Sequence, residues 1–358
     1  MNIPITRVTE SSISKLPADE MQLGFGKIFT DHMFLYEHTS DRGWHSPRIV
    51  PYGDLSLDPA AMVLHYGQEA FEGLKAYRGA DGGVRLFRHR KNLERLNASA
   101  RRLCMPTFDE DVVEDAMKRL VLLERDWIPH TEGCSLYIRP TYIATDPYLG
   151  VRASNNYLLY IILNPVSAYY PEGFNPVSIW VSEKYVRAVV GGVGEAKTGG
   201  NYAASLAAQM MAKEKGFSQV LWLDGRERRY VEEVGTMNIF FVIDDEVVTS
   251  PLTGSILPGI TRDSVLQLLR DWGHRVSERM LDIAEVVAAS ESGRLKEVFG
   301  TGTAAIISPV SSFHYRDRDH QVADGRTGPL SQKLYDQILA IQYGRQEDPH
   351  GWTTRIDL

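Results

Sequence analysis

A chain of 358 residues has room for two domains of roughly 150 residues each. Its composition, 43% hydrophobic and 24% charged, supplies enough apolar material for packed cores. The net charge of -7, without a long Lys/Arg block, excludes a nucleic-acid or anionic-membrane surface as the expected partner.

Two cysteines, Cys104 and Cys134, form neither a disulfide framework nor a metal-ligand spacing, and the ten histidines are scattered. No metal is therefore expected. The opening stretch MNIPITRVTESSISKLP lacks the apolar core of a secretory signal. The most apolar run, Tyr157–Leu163, is too short to span a bilayer. A reducing, cytoplasmic compartment is the expectation.

In chain order, Met33–Glu37 reads as a short strand and Tyr52-Gly53-Asp54 as a turn. His65–Gly79, spelled HYGQEAFEGLKAYRG, precedes a strand at Val84–Phe87. Arg90–Cys104 is predicted helical, because Leu93, Leu96, Ala100 and Leu103 recur at spacings of three and four. Asp109–Trp127 passes the same test through Val113, Met117, Leu120 and Leu123. Ser135–Ala144 and Tyr157–Leu163, rich in Tyr, Ile and Leu, read as neighbouring strands. AYYPEGFNP, Ala168–Pro176, carries two prolines and a glycine and reads as an interdomain linker.

The second half is expected to alternate strands and helices. Val177–Val181 and Gln219–Leu223 are strand-like, with a helix-like run from Asn201 to Lys215. Asn238–Ile243 and Glu246–Ser250 form a hairpin around Asp244-Asp245. Thr261 is placed to cap a helix that runs to Trp272 and ends at Gly273. Ile283–Glu291 and Gln332–Tyr343 are further helices. The expected division is 1–167, a linker at 168–178, and 179–358.

The stretch richest in chemistry is GGVGEAKTGGNYAAS, Gly191–Ser205, in which Lys197 sits among five glycines. Three readings compete for Lys197. One is a solvated loop lysine. Another is a phosphate-cradling P-loop, which Ala196 spoils by occupying the glycine position before the lysine. The third is a Schiff-base lysine, whose amine must lose its proton to attack an aldehyde; partial burial pushes a lysine that way. Such a cofactor also needs an anion pocket and a carboxylate for a ring nitrogen.

Leu257–Arg262, LPGITR, sets a glycine turn before a helix and offers free N–H groups to an anion. Gly300–Ala304, GTGTA, is a second small-residue turn. Glu233, in EVGTMN, is a carboxylate at a strand entrance. Arg95 lies on the polar side of the first helix and can meet a phosphate. Each of these motifs also has an ordinary reading, as a helix start, a tight turn, a solvated carboxylate or a surface arginine.

Together, FEGLKAYR (Phe71–Arg78), YIRP (Tyr137–Pro140), the lysine stretch, QVLWLDG (Gln219–Gly225), EVGTMNIFF (Glu233–Phe241), LPGITR and EVFGTGTA (Glu297–Ala304) resemble the branched-chain amino acid aminotransferases. These are fold-type IV, class IV enzymes that depend on pyridoxal 5'-phosphate. The resemblance runs from about Asp31 to Trp352. It implies a two-domain α/β (α+β) fold, with a small N-terminal α/β domain and a larger C-terminal pseudo-barrel domain.

The same resemblance implies site roles. Lys197 attaches the cofactor and moves a proton. Glu233 meets the ring nitrogen and Tyr202 the phenolic oxygen. Arg95, the N–H groups of Ile260 and Thr261, and Thr303 hold the phosphate. The Thr303-Ala304 turn and Tyr66 receive the substrate carboxylate. Phe71, Tyr137, Tyr169, Thr236 and Ala304 line the side-chain pocket, and Arg139 receives the distal carboxylate of glutamate. Leu149 and Val151 complete the site from the other subunit, which implies a homodimer. A D-amino-acid aminotransferase or an aminodeoxychorismate lyase is the alternative within the same fold. A CxxC found after this turn in animal members is absent here, where Ala305–Ser308 stands.

Overall fold

The alternating apolar runs pair into two separate sheets in the computed structural model, which describes residues 3–167 and 174–357. The first compact unit comprises Met1–Pro171, Ala196–Gly199 and Leu339–Leu358, and the second Glu172–Glu195 and Gly200–Ile338.

The first unit holds strands β1 His32–Thr39, β2 Gly43–Pro51, β3 Glu69–Phe71, β4 Leu74–Arg78, β5 Val84–Phe87, β6 Ser135–Ala144 and β7 Asn156–Val166. The strand Thr353–Arg355 adds to β5, and the path continues β5-β4-β6-β7-β1-β2, with β3 also on β6. Along β7, Tyr157, Leu159, Ile161 and Leu163 are buried while Asn156, Leu158, Tyr160 and Ile162 are half-buried, the period-two signature of a sheet packed on one face. The packing partners are helices α2 (His89–Arg102) and α3 (Glu110–Leu123), beyond the short α1 (Met62–Tyr66). Leu93, Leu96 and Ala100 of α2 and Val113, Met117 and Leu120 of α3 are fully buried in one cluster with Leu136, Ile138 and Leu159. Each such leucine contributes about 1.5–3 kcal/mol by leaving water.

Asp109 caps α3 by accepting from the Asp111 N–H. The helix expected to reach Trp127 stops at Leu123 and continues as a single 3-10 turn, Arg125–Trp127.

The second unit contains β8 Val177–Ser182, β9 Gln219–Leu223, β10 Val231–Val234, β11 Met237–Ile243, β12 Glu246–Thr249, β13 Arg275–Glu278, β14 Leu295–Gly302, β15 Ile306–Tyr315 and β16 Arg318–Gln321. Its helices are α4 Gly199–Glu214, α5 Ile260–Asp271, α6 Ile283–Glu291 and α7 Pro329–Gln342; α4 and α7 begin or end in the first unit. The path β10-β9-β8-β15-β14-β11 closes on itself through a β10–β11 pairing, which makes a small barrel. The parallel β8–β9 pair is joined through α4, the connection that parallel neighbours require.

The expected strand–helix alternation does not hold from β9 to β12, where four strands follow one another without a helix. Two segments assigned by sequence to 179–358, Ala196–Gly199 and Leu339–Leu358, group with the first unit. Thr353–Arg355 does so by pairing with β5.

Thr261 is not the cap of α5. Gly259 occupies that position, without a side-chain cap. A Cβ there would lie 2.0 Å from Asn238 Oδ1, so only glycine fits. Thr261 falls instead in the first turn.

Candidate active site

The predicted site residues fall into two groups, one in each unit. In the first, three hydrogen bonds fix the lysine segment. The Lys197 N–H donates to Ser99 Oγ at 2.9 Å. Its carbonyl accepts from the Phe71 N–H at 3.0 Å. The Gly199 N–H donates to the Glu69 carboxylate. Lys197 Nζ is thereby set 4.7 Å from the centre of the Phe71 ring.

Sheet register brings the other members alongside. Tyr137 and Arg139 are two apart on β6, and Phe71 on β3 is opposite Thr141 of β6, so all three side chains share a face. The Arg139 guanidinium sits 4.9 Å from the Phe71 ring and 5.3 Å from the Tyr137 ring, and donates to Tyr137 Oη at 3.2 Å. Phe25 packs edge-on against Tyr137, with 4.8 Å between centroids. Gly73 is the residue that admits Tyr137: a Cβ at Gly73 would lie 1.8 Å from the Tyr137 oxygen.

Burial pushes the Lys197 amine down to about 8; Glu72 opposes the change, while Arg95 and Arg139 reinforce it. Such an amine is neutral in roughly a tenth of molecules at pH 7, against well under a thousandth for a solvated lysine. The loop-lysine reading is thus corrected by packing. Arg95 is no surface arginine either. Its side chain is 10% exposed, and its Nε and one terminal nitrogen donate to the two oxygens of Glu72 at 2.7 and 2.9 Å.

In the second unit, Glu233 is on β10 rather than at a strand entrance, and is 2% exposed. Its Oε1 accepts from the Leu257 N–H at 2.8 Å and from Asn238 Nδ2 at 3.4 Å, and its Oε2 pairs with Arg187 Nε at 2.8 Å. Tyr202 lines a small recess together with Glu233, Arg187, Asn201, Gly235 and Thr236. Thr236 is exposed in the β10–β11 turn, which Gly235 makes with φ of 55°.

Ile260 and Thr261 form the first turn of α5, a 12-residue helix whose cap residue offers no side-chain acceptor. Thr303 and Ala304 are half-buried in the turn between β14 and β15. Gly300–Gly302 lies within β14 rather than in that turn.

Tyr66 closes α1, and its hydroxyl donates to the Leu149 carbonyl. Leu149 and Val151 are 62% and 86% exposed, an unusual position for two aliphatic side chains. Tyr169 lies outside the described residues, as does most of the predicted linker. Among the described residues, no helix is long and apolar enough to cross a membrane, and no cluster of His, Cys, Asp or Glu is arranged to hold a metal.

The sequence reading passed over Glu72, Glu69, Ser99, Arg187 and Asn238. Glu72 had a local signal, a carboxylate between Phe71 and Gly73 in an otherwise apolar strand region. Arg187 had none, because its partner is 46 positions away, at Glu233.

Each unit by itself carries groups of the kind pyridoxal 5'-phosphate needs: the first an amine of lowered basicity, the second a buried carboxylate and a helix N-terminus whose cap residue brings no side-chain acceptor.

The model of the family "Amino-transferase class IV" matches residues 69–313. The chain is 57% identical over 350 residues to branched-chain-amino-acid aminotransferase 2 of Bacillus subtilis, covering 98% of this chain and 96% of that one. It is 49% identical over 359 residues to the branched-chain-amino-acid aminotransferase of Mycolicibacterium smegmatis, covering 99% and 96%. Among solved structures it resembles the Escherichia coli branched-chain amino acid aminotransferase, with a TM-score of 0.75, 29% identity, and 90% and 99% of the two chains covered. It also resembles the branched-chain amino acid aminotransferase of Thermobaculum terrenum in its PLP-form (holo-form), with a TM-score of 0.75, 26% identity, and 91% and 98% covered. The chain therefore belongs to the class IV aminotransferases and, within them, to the branched-chain amino acid aminotransferases.

Proposed function

We propose that the chain transfers the amino group of L-leucine, L-isoleucine or L-valine to 2-oxoglutarate, reversibly and in two half-reactions, with pyridoxal 5'-phosphate as cofactor. The observation that carries this reading is the half-buried Lys197, its amine 4.7 Å from the centre of the Phe71 ring and lowered to about 8, in a chain so similar to named branched-chain enzymes. When bound, the cofactor supplies an electron sink for the carbanion left at the substrate's α-carbon.

The chain's residues do the rest. Lys197 Nζ would hold the cofactor covalently and, as a free amine, would move the proton of the substrate's α-carbon. Glu233 would keep the ring nitrogen protonated, with Arg187 balancing its charge, and Tyr202 would donate to the phenolic oxygen. Arg95, the Ile260 and Thr261 N–H groups and Thr303 would hold the phosphate.

The Thr303-Ala304 turn and Tyr66 orient the substrate carboxylate. Phe71, Tyr137, Tyr169, Thr236 and Ala304 provide apolar and hydroxyl-bearing walls, and Arg139 pairs with the second carboxylate of glutamate. One pocket must serve both substrates. Since one methylene discriminates by only about 1–3 kcal/mol, all three branched amino acids are expected to react. The exposed Leu149 and Val151 fit a loop that closes the site of a partner subunit in a homodimer.

The test is spectroscopic. The visible absorbance of the holoenzyme bleaches on addition of L-leucine and returns on addition of 2-oxoglutarate. A band indifferent to L-leucine but bleached by D-alanine would overturn the assignment.

A further inference from the structure

We propose that Glu72 is a positioning residue for the reaction: a buried counter-charge that locks Arg95 in place and sets the electrostatic balance felt by Lys197, without touching substrate. This rests on Lys197 being the cofactor lysine.

Glu72 has no exposed surface. A carboxylate so placed is costly unless its charge and lone pairs are met, and here they are met fully. Oε1 accepts from Arg95 Nε at 2.7 Å. Oε2 accepts from Arg95 at 2.9 Å, from Asn92 Nδ2 at 2.8 Å and from the Gly73 N–H at 3.0 Å. The fork-to-fork pairing fixes the guanidinium plane as well as its position.

One carboxylate therefore serves two cations: Arg95 from α2, bonded to it, and Lys197 from the lysine segment, coupled to it through space. The other groups facing Lys197 are Tyr137 and Arg139 of β6, with Glu69 of β3 nearby. Among them Glu72 is the largest influence keeping the amine charged, and Arg95 the largest charge opposing it. The pair acts as a set point. Glu72 restrains the loss of the Lys197 proton that burial favours, and Arg95 prevents Glu72 from restraining it further.

The arrangement yields two shifts of opposite sign, which a merely structural role would not produce. In the cofactor-free full chain, the labelling of Lys197 by acetic anhydride is followed against pH by peptide mass spectrometry. The native midpoint is expected near 8. Glu72→Gln moves it down by about one unit, and Arg95→Gln moves it up by a similar amount. Glu72→Asp, which keeps the charge, stays close to the native value.

Midpoints that do not move, or that move in the same direction, overturn the proposal. If Glu72→Gln does not fold, Arg95→Gln decides alone: an upward shift sustains the proposal and its absence refutes it. Because the labelling needs no cofactor, this outcome is separate from the holoenzyme titration. A chain without the L-leucine-sensitive band would refute the aminotransferase reading, whatever the midpoints show.

Discussion

Lys197→Ala lowers the turnover of L-leucine by about four orders of magnitude, while the protein keeps its fold and a weakened affinity for the cofactor. A positioned acid–base group alone contributes about 10²–10⁴-fold, and the same nitrogen is also proposed to make the covalent attachment. The fold is expected to survive because the segment is held by main-chain bonds to Ser99, Phe71 and Glu69, none of which uses the amine. Truncation also removes a buried amine that burial disfavours in its charged form. Cofactor affinity is expected to persist because the proposed phosphate contacts remain: Arg95 keeps its place against Glu72, and the first turn of α5 is untouched. Steady-state assays with L-leucine and 2-oxoglutarate, beside a urea denaturation curve, measure both halves. Turnover within tenfold of native would remove Lys197 from the chemistry.

Arg187→Met costs about 3–5 kcal/mol of stability, the usual consequence of stranding one member of a buried ion pair. The side chains of Arg187 and Glu233 are 8% and 3% exposed, so solvent screens the lost attraction little. Arg187 also donates to the carbonyls of Gly194 and Ser255, tying the approach to the lysine segment to the loop before α5. Its loss leaves a buried carboxylate without counter-charge and these carbonyls without their donor.

The two side chains are in contact, so their effects are not additive. Arg187→Met/Glu233→Gln should recover a large part of the stability, because the stranded charge is gone, yet stay inactive, because the proposed partner of the ring nitrogen is gone. Urea midpoints of the two single variants and the double variant give the coupling. A double variant no more stable than Arg187→Met would show that the pair is not the source of the loss.

Local pattern carries most of the fold. Val84–Phe87 and Ile283–Glu291 appear with the bounds read from sequence, because each is a short run whose periodicity and flanks agree. β10 does not appear that way. Val231-Glu232-Glu233-Val234 has two adjacent carboxylates, which read as a solvated turn, yet all four residues are buried. Glu232 is met by Ser255 and Glu233 by Arg187, partners more than twenty positions away.

The start of α5 fails for a similar reason. The helix is capped two residues before Thr261, at Gly259, where a Cβ would meet Asn238 of β11, a neighbour that local sequence does not show. The pairing of Thr353–Arg355 with β5 is longer-range still. For the site, the motifs marked Lys197, Glu233 and Arg95, but only packing shows that Arg95 and Lys197 share Glu72. Buried counter-charges are chosen by tertiary contact and leave little trace in local spacing.

Lys75 sharpens the central question. It is buried, at 6% exposure, and burial lowers its amine to about 8, so lowered basicity alone does not single out Lys197. What distinguishes Lys197 is its setting beside Phe71, Arg139 and the Glu72–Arg95 pair. The direct measurement is borohydride reduction of the holoenzyme followed by peptide mass mapping. The account predicts a single phosphopyridoxyl group on the peptide containing Lys197. A group found on Lys75 or another lysine, or none trapped at all, would contradict it.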